Sequence, residues 1–190
     1  MSEVTESIPL DKARRAGART GAVSTTWLEP CARFSLRLPS AAAVQSDSLA
    51  GFHVETPINT CVTKDGRSAA RLGPDEWLLI GAAAESAKIE KAIRAALHGS
   101  FFSLVDIGHR NLAVEIAGPQ ARDVINAGCP LDLHDRTFPA GSATRTLFGK
   151  AEIILMRPGA DHAYRMECWR SYAPYVGGLL IEAAREFEAD

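Results

Sequence analysis

An aspartate, a histidine and an arginine fall within five residues at Asp106, His109 and Arg110. A carboxylate, an imidazole and a guanidinium at that spacing can hold an anion or move a proton. The same spacing also suits a simple turn, with Asp106 paired to Arg110 and His109 half exposed. Asp132-x-His134-Asp135 is the densest group of metal-ligand side chains. Metal ligation needs several converging N, S or O donors, and such a trio serves equally as solvated capping groups in a loop. Cys129 directly follows Gly128 at a helix end. A reactive thiolate wants a helix N-terminus or a basic neighbour, so this position also reads as a small buried residue. Trp77 and Trp169 occupy corresponding strands of an internal repeat and could stack on a ligand or pack a core. No serine elbow, Walker A loop or dinucleotide fingerprint occurs. No catalytic residue and no metal ligand is therefore assigned. Trp77, Asp106, His109 and Arg110 are the candidates for lining a ligand cleft.

The elements that would carry these residues come in two copies. Phe34-Ser-Leu-Arg-Leu38 alternates as a half-buried strand and runs through Pro39-Ser40 toward an Ala-rich helix over Ala41–Ala50, with Ser40 as cap and Gly51 as stop. Leu112-Ala-Val-Glu-Ile116 repeats the alternation and runs through Gly118-Pro119 into a second helix that stops at Gly128. Asp75 and Glu85 have the spacing of Asp161 and Ser171, each pair spanning a strand and the start of a helix. Asp65-Gly66 marks a hairpin between Thr60–Thr63 and Ser68–Leu72. Ile89, Ala92, Ile93, Ala96 and Leu97 form a helical stripe. Further strands are expected at Phe101–Ile107, Ala143–Phe148, Ala151–Met156 and Ala163–Trp169. A last helix begins at Ser171. It carries a stripe from Tyr172 and Tyr175 to Phe187, with Gly177-Gly178 explained by a close backbone approach. Two copies of strand, helix, strands and helix imply one pseudo-symmetric α+β body.

Composition narrows the function classes. A formal charge of −2 gives no field for nucleic acid or an anionic membrane. No apolar run approaches a membrane span, and the N-terminus lacks the apolar core of a secretory signal. Cys31, Cys61, Cys129 and Cys168 are widely spaced and read as reduced thiols, which places the chain in the cytoplasm. Residues 1–26 are expected to be a flexible arm. Residues 27–190 are expected to be one folded domain of two half-repeats, about 27–100 and 101–190.

The strings L-G-P-D-E-W-L-L at Leu72, V-D-I-G-H-R-N at Val105, A-G-P-Q-A-R-D-V-I-N-A-G-C-P-L-D-L-H at Ala117 and W-R-S-Y-A at Trp169 resemble the gamma subunit of heterotetrameric sarcosine oxidase. The resemblance runs from about Trp27 to Phe187, and that family is distantly similar to the folate-binding domain of the glycine-cleavage T protein. It implies a pseudo-twofold duplication of β-β-α-β-β-β-α halves. It further implies an accessory, non-catalytic chain in a complex that oxidatively demethylates sarcosine to glycine, with hydrogen peroxide and 5,10-methylenetetrahydrofolate as further products. FAD, FMN, NAD and tetrahydrofolate are then expected in the partner alpha, beta and delta subunits and no cofactor on this chain. The K-G-C-Y-x-G-Q-E string of the related folate-dependent iron–sulfur proteins is absent, Cys129 being followed by Pro130-Leu131. The alternative is a stand-alone folate-binding, aminomethyltransferase-like protein, with a pteridine pocket between the halves contacted by Trp77, Asp106 and Arg110.

Overall fold

Strand order fixes the architecture. The computed structural model describes residues 22–39 and 48–187. Among these residues, ten antiparallel strands run β1 (Ser24–Trp27), β2 (Ala32–Arg37), β3 (Thr60–Lys64), β4 (Arg67–Arg71), β5 (Glu76–Gly81), β6 (Ser103–Asp106), β7 (Asn111–Ala117), β8 (Ser142–Phe148), β9 (Ala151–Arg157) and β10 (Ala163–Trp169). The helices are α1 (Ser86–Ala96), α2 (Ala121–Asn126) and α3 (Ala173–Ala184). The spatial order is β1-β7-β10-β9-β8-β3-β4-β5-β2-β6, which has the same connectivity when read from either end. Each half lends its first strand to the other: β1 pairs with β7, and β6 pairs with β2. The two half-sheets meet at one register pair, Thr60 with Ser142.

Burial gives the layers. On β5, Trp77 and Leu79 join the first-half core with Ile89 and Ile93 of α1, while Leu78 and Ile80 face a central core. On β9, Ile153 and Leu155 join the second-half core with Val176 and Leu180 of α3, while Ile154 and Met156 face the same central core. The half-sheets therefore pack on one another, with helices on the outer faces. Strands buried on both faces lose period-two alternation, which is why Glu76–Gly81 and Ala151–Arg157 are near-continuous apolar runs.

Several expectations shift. The folded body begins earlier than Trp27: Val23 is buried and Ser24–Trp27 is a paired strand, so the arm boundary at residue 26 moves back. Residues 1–21 of that arm, and Ser40 with Ala41–Asp47 of the first helix, lie outside the described residues. Asp65 and Gly66, with φ of 50° and 74°, make the turn of the β3–β4 hairpin. Pro119 does not start α2, which begins two residues later at Ala121. On α1 the buried stripe narrows to Ile89, Ile93 and Leu97, with Ala92 and Ala96 exposed. The α3 stripe also splits. Ala173, Val176, Gly177, Leu180 and Ala184 are buried, while Tyr172 and Tyr175 are exposed.

Gly178 is not explained by a close approach, because a Cβ built there meets nothing within 4 Å. Gly178→Ala is expected to stabilise the fold by ~1 kcal/mol, the helix-propensity difference. That corresponds to a melting temperature about 2–4 °C higher in a thermal scan, and an unchanged or lower value would contradict it.

Candidate functional site

Asp106 ends β6, and its carboxylate is held by groups other than Arg110. Its Oδ1 accepts the Gly108 N–H at 2.7 Å, and its Oδ2 accepts the Ser86 hydroxyl at 3.4 Å. The carboxylate thus closes its own turn and sits at the positive end of α1, where anions are favoured. The Arg110 guanidinium lies over the Trp169 ring at 5.7 Å and donates to Asn111. Arg170 donates to the His109 carbonyl at 2.9 Å. The expected Asp106–Arg110 pair is replaced by these contacts.

The four cleft candidates separate into two places. Asp106 and His109, with Cys31, Ser86 and Arg170, line an open cavity of about 250 Å³. Trp77 and Arg110 border a different pit of about 10 Å³, room for roughly one water. Trp77 itself is 0% exposed. Its indole N–H donates to the Val54 carbonyl at 2.9 Å, and Arg71 covers its ring at 5.1 Å. It is a core residue of the first half. Trp169 differs, being 43% exposed at the end of β10.

A charged group that the sequence reading missed lies between the half-sheets. Arg33 on β2 and Glu167 on β10 are each 1% exposed. Arg33 Nε donates to Glu167 Oε2 at 2.7 Å. Arg165 donates twice to Glu167 Oε1, at 2.9 and 2.7 Å, and once to Cys31 Sγ at 3.4 Å. Burial pulls the Arg165 guanidinium down, but the Glu167 carboxylate more than offsets it and leaves its pKa above the ordinary value. The middle of the interface between the half-sheets is filled by this triad and by Leu78, Ile80, Ile107, Ala143, Ile154 and Met156.

The remaining reactive types are committed to structure. Asp132 accepts the His134 N–H at 3.0 Å and the Thr137 hydroxyl at 2.9 Å, while the Arg136 N–H donates to His134 Nδ1. Among the described residues no three His, Cys, Asp or Glu side chains converge as a metal site. Burial pushes the Cys61 thiol up to about 11 and the Cys168 thiol up to about 12, so both are protonated at neutral pH. Cys129 is buried, 4.0 Å from the Thr146 hydroxyl.

Asp135 accepts from Arg157 at 2.6 Å, and that bond holds its carboxyl below the ordinary 3.8. The unfolded chain binds the proton first as pH falls, so the pair's contribution is whole above 3.8 and is lost through the lower folded value. Asp135→Asn is expected to be less stable than the parent near neutral pH, with the gap closing in acid. Urea unfolding at a series of pH values checks this; a gap that stays constant into acid would remove the pair's role.

The fold and its strand swap define a class. A solved structure of the glycine cleavage system aminomethyltransferase T from Bartonella henselae superposes with a TM-score of 0.66 at 12% identity, covering 92% of this chain and 49% of that one. A chain of heterotetrameric sarcosine oxidase from Corynebacterium sp. U-96, solved in complex with pyrrole 2-carboxylate, superposes with a TM-score of 0.80 at 24% identity, covering 95% and 93%. The protein is thus of the strand-rich α+β class that both structures share. The model of the sarcosine oxidase gamma subunit family matches residues 37–186, and the chain belongs to that family. Sarcosine oxidase subunit gamma from Corynebacterium sp. (strain P-1) is 31% identical over 126 residues, covering 66% of this chain and 61% of that one. The subunit from Arthrobacter sp is 33% identical over 123 residues, covering 65% and 59%. The match thus spans about three-fifths of the length of these relatives. Among the described residues no helix is long and apolar enough to cross a membrane.

Proposed function

We propose that this chain is a non-catalytic accessory subunit that docks on a flavoprotein core of alpha, beta and delta subunits and supports its assembly. In this reading the cytoplasmic complex oxidatively demethylates sarcosine to glycine, with hydrogen peroxide and, from tetrahydrofolate, 5,10-methylenetetrahydrofolate. FAD, FMN, NAD and tetrahydrofolate belong to the partner subunits. The observation that carries the reading is the family match across residues 37–186. The turn-bound Asp106 and Asp132 carboxylates and the protonated, buried Cys61 and Cys168 thiols support it. Against a folate site contacted by Trp77 stands the pit beside it, which has only about 10 Å³. Asp106 and His109 remain proposed as lining residues of the open cavity, which is large enough for a small ligand.

Co-expression with the alpha, beta and delta subunits, followed by purification through a tag on this chain, tests the assignment. A yellow complex that oxidises sarcosine is expected. A colourless, lone chain that binds tetrahydrofolate at millimolar concentration would replace it with the folate reading.

A further inference from the structure

Antiparallel register brings four strand ends together at one end of the second half-sheet. Trp169 pairs with Asn111, Cys168 with Ile153, and Phe148 with Ala151. The end of β10, the start of β7 and the β8–β9 turn are therefore neighbours, and α3 begins beside them. Trp169, Tyr172, Tyr175 and Leu147 are all exposed there.

These rings are held in place. Trp169 lies between Arg110 at 5.7 Å and Tyr172 at 6.3 Å. The Tyr175 hydroxyl accepts the Lys150 N–H at 3.1 Å, and a Cβ at Gly149 would collide with it, so the β8–β9 turn and the ring fit only with glycine at that place. Surface aromatics whose rotamers are already fixed lose little entropy on association, which is the property of interface anchors. The rim is cationic. Arg110, Lys150 and Arg170 have no carboxylate partner among the described residues. Of the nearby acids, Glu152 is paired to Arg145, and Asp106 accepts from the neutral Ser86 and Gly108 donors, which leaves three cations against one unpaired carboxylate.

We propose that this end of the second half-sheet is the face that docks on the flavoprotein core, against an apolar patch bordered by carboxylates. The proposal rests on the accessory-subunit reading and adds the surface and its chemistry. A second copy of the chain would set cations against cations, which charge complementarity disfavours.

Full-length chain is titrated against the purified alpha–beta–delta core by biolayer interferometry at low and high salt. Trp169→Ala is expected to weaken binding by about 30-fold, the loss of an aromatic anchor worth ~2 kcal/mol. Lys150→Glu, on an exposed turn that leaves the fold intact, is expected to weaken it about tenfold at low salt and less at high salt. Phe101→Ala removes an apolar side chain that is 89% exposed beside Leu38 and Pro39 of the first half-sheet, and is expected to leave affinity within about twofold. Thermal scans of each variant separate lost contact from lost fold, and Lys150→Glu decides the matter if Trp169→Ala unfolds. Binding of both end-face variants within about threefold of the parent overturns the proposal. So does a larger loss from Phe101→Ala. A face that governs binding to phosphatidylserine vesicles, or self-association, instead of core affinity also overturns it. Failure of the unaltered chain to bind the core at all defeats the accessory reading itself, and the surface assignment with it.

Discussion

Glu167→Ala is expected to destabilise the protein by about 3–5 kcal/mol, the cost of stranding buried charge. Two guanidinium groups, Arg33 and Arg165, aim at this one carboxylate. Arg33 is enclosed at 1% exposure, its other donated bond being a 3.4 Å contact to the Cys31 carbonyl. Arg165 is partly exposed, with 21% of its side chain reaching solvent, so Arg33 carries most of the penalty. The melting temperature should fall on the order of 10 °C for a domain of this size. Glu167→Gln keeps one acceptor without the charge and should fall between the two. Replacing the enclosed pair together, with Arg33→Met and Glu167→Leu, should recover much of the loss, because matched apolar side chains need no desolvated charge. Urea unfolding of the purified chain, followed by circular dichroism, measures all three. A Glu167→Ala variant within about 1 kcal/mol of the parent would mean that water reaches the guanidinium groups and that the half-sheets are not closed on each other.

That triad also marks the limit of what the sequence made legible. Strands were readable where one face is wet or a turn residue is diagnostic: Asp65-Gly66 closes its hairpin, and β7 and β10 lie close to their expected spans. Helix α1 was readable from its 3.6-residue stripe, though Ala92 and Ala96 prove to be solvent-facing. The site was not. Along β10, Arg165 and Glu167 alternate with Tyr164, Met166 and Cys168, which is the pattern of a strand with one solvated face. In the fold that polar face is covered by the other half-sheet, through a contact with Arg33 that is 134 residues distant in sequence. No local pattern can report it, because the covering surface is supplied by the other half-sheet. The turn at Asp106–Arg110 misled for the opposite reason. Its three chemistry-bearing side chains are close in sequence, yet Asp106 is drawn to Ser86 and Arg110 to Trp169. The family strings located the chain correctly where the chemistry of single residues did not, since they are spread along most of the folded chain.

Trp77→Ala is expected to cost about 3–5 kcal/mol as a large-to-small change in a closed core. The indole is surrounded by the first-half core, which includes Phe34, Leu36, Leu79, Ile89 and Ile93. A ligand-stacking tryptophan would behave otherwise, since removing an exposed ring changes affinity and leaves stability within about 0.5 kcal/mol. Trp77→Phe separates the packing from the polar contribution. It keeps most of the buried area but removes the indole N–H that the Val54 carbonyl now receives at 2.9 Å, leaving that carbonyl the Thr56 N–H alone, a loss of about 0.5–1.5 kcal/mol. The two variants should therefore rank Ala below Phe below parent in unfolding free energy. Their affinity for the proposed flavoprotein core, measured well below their melting temperatures, should match the parent's, because Trp77 is a fully buried residue of β5 in the first-half core. Stability unchanged by Trp77→Ala would return this residue to the list of ligand contacts. The two tryptophans of corresponding strands would then share a role, where the structure gives one to the core and the other to the surface.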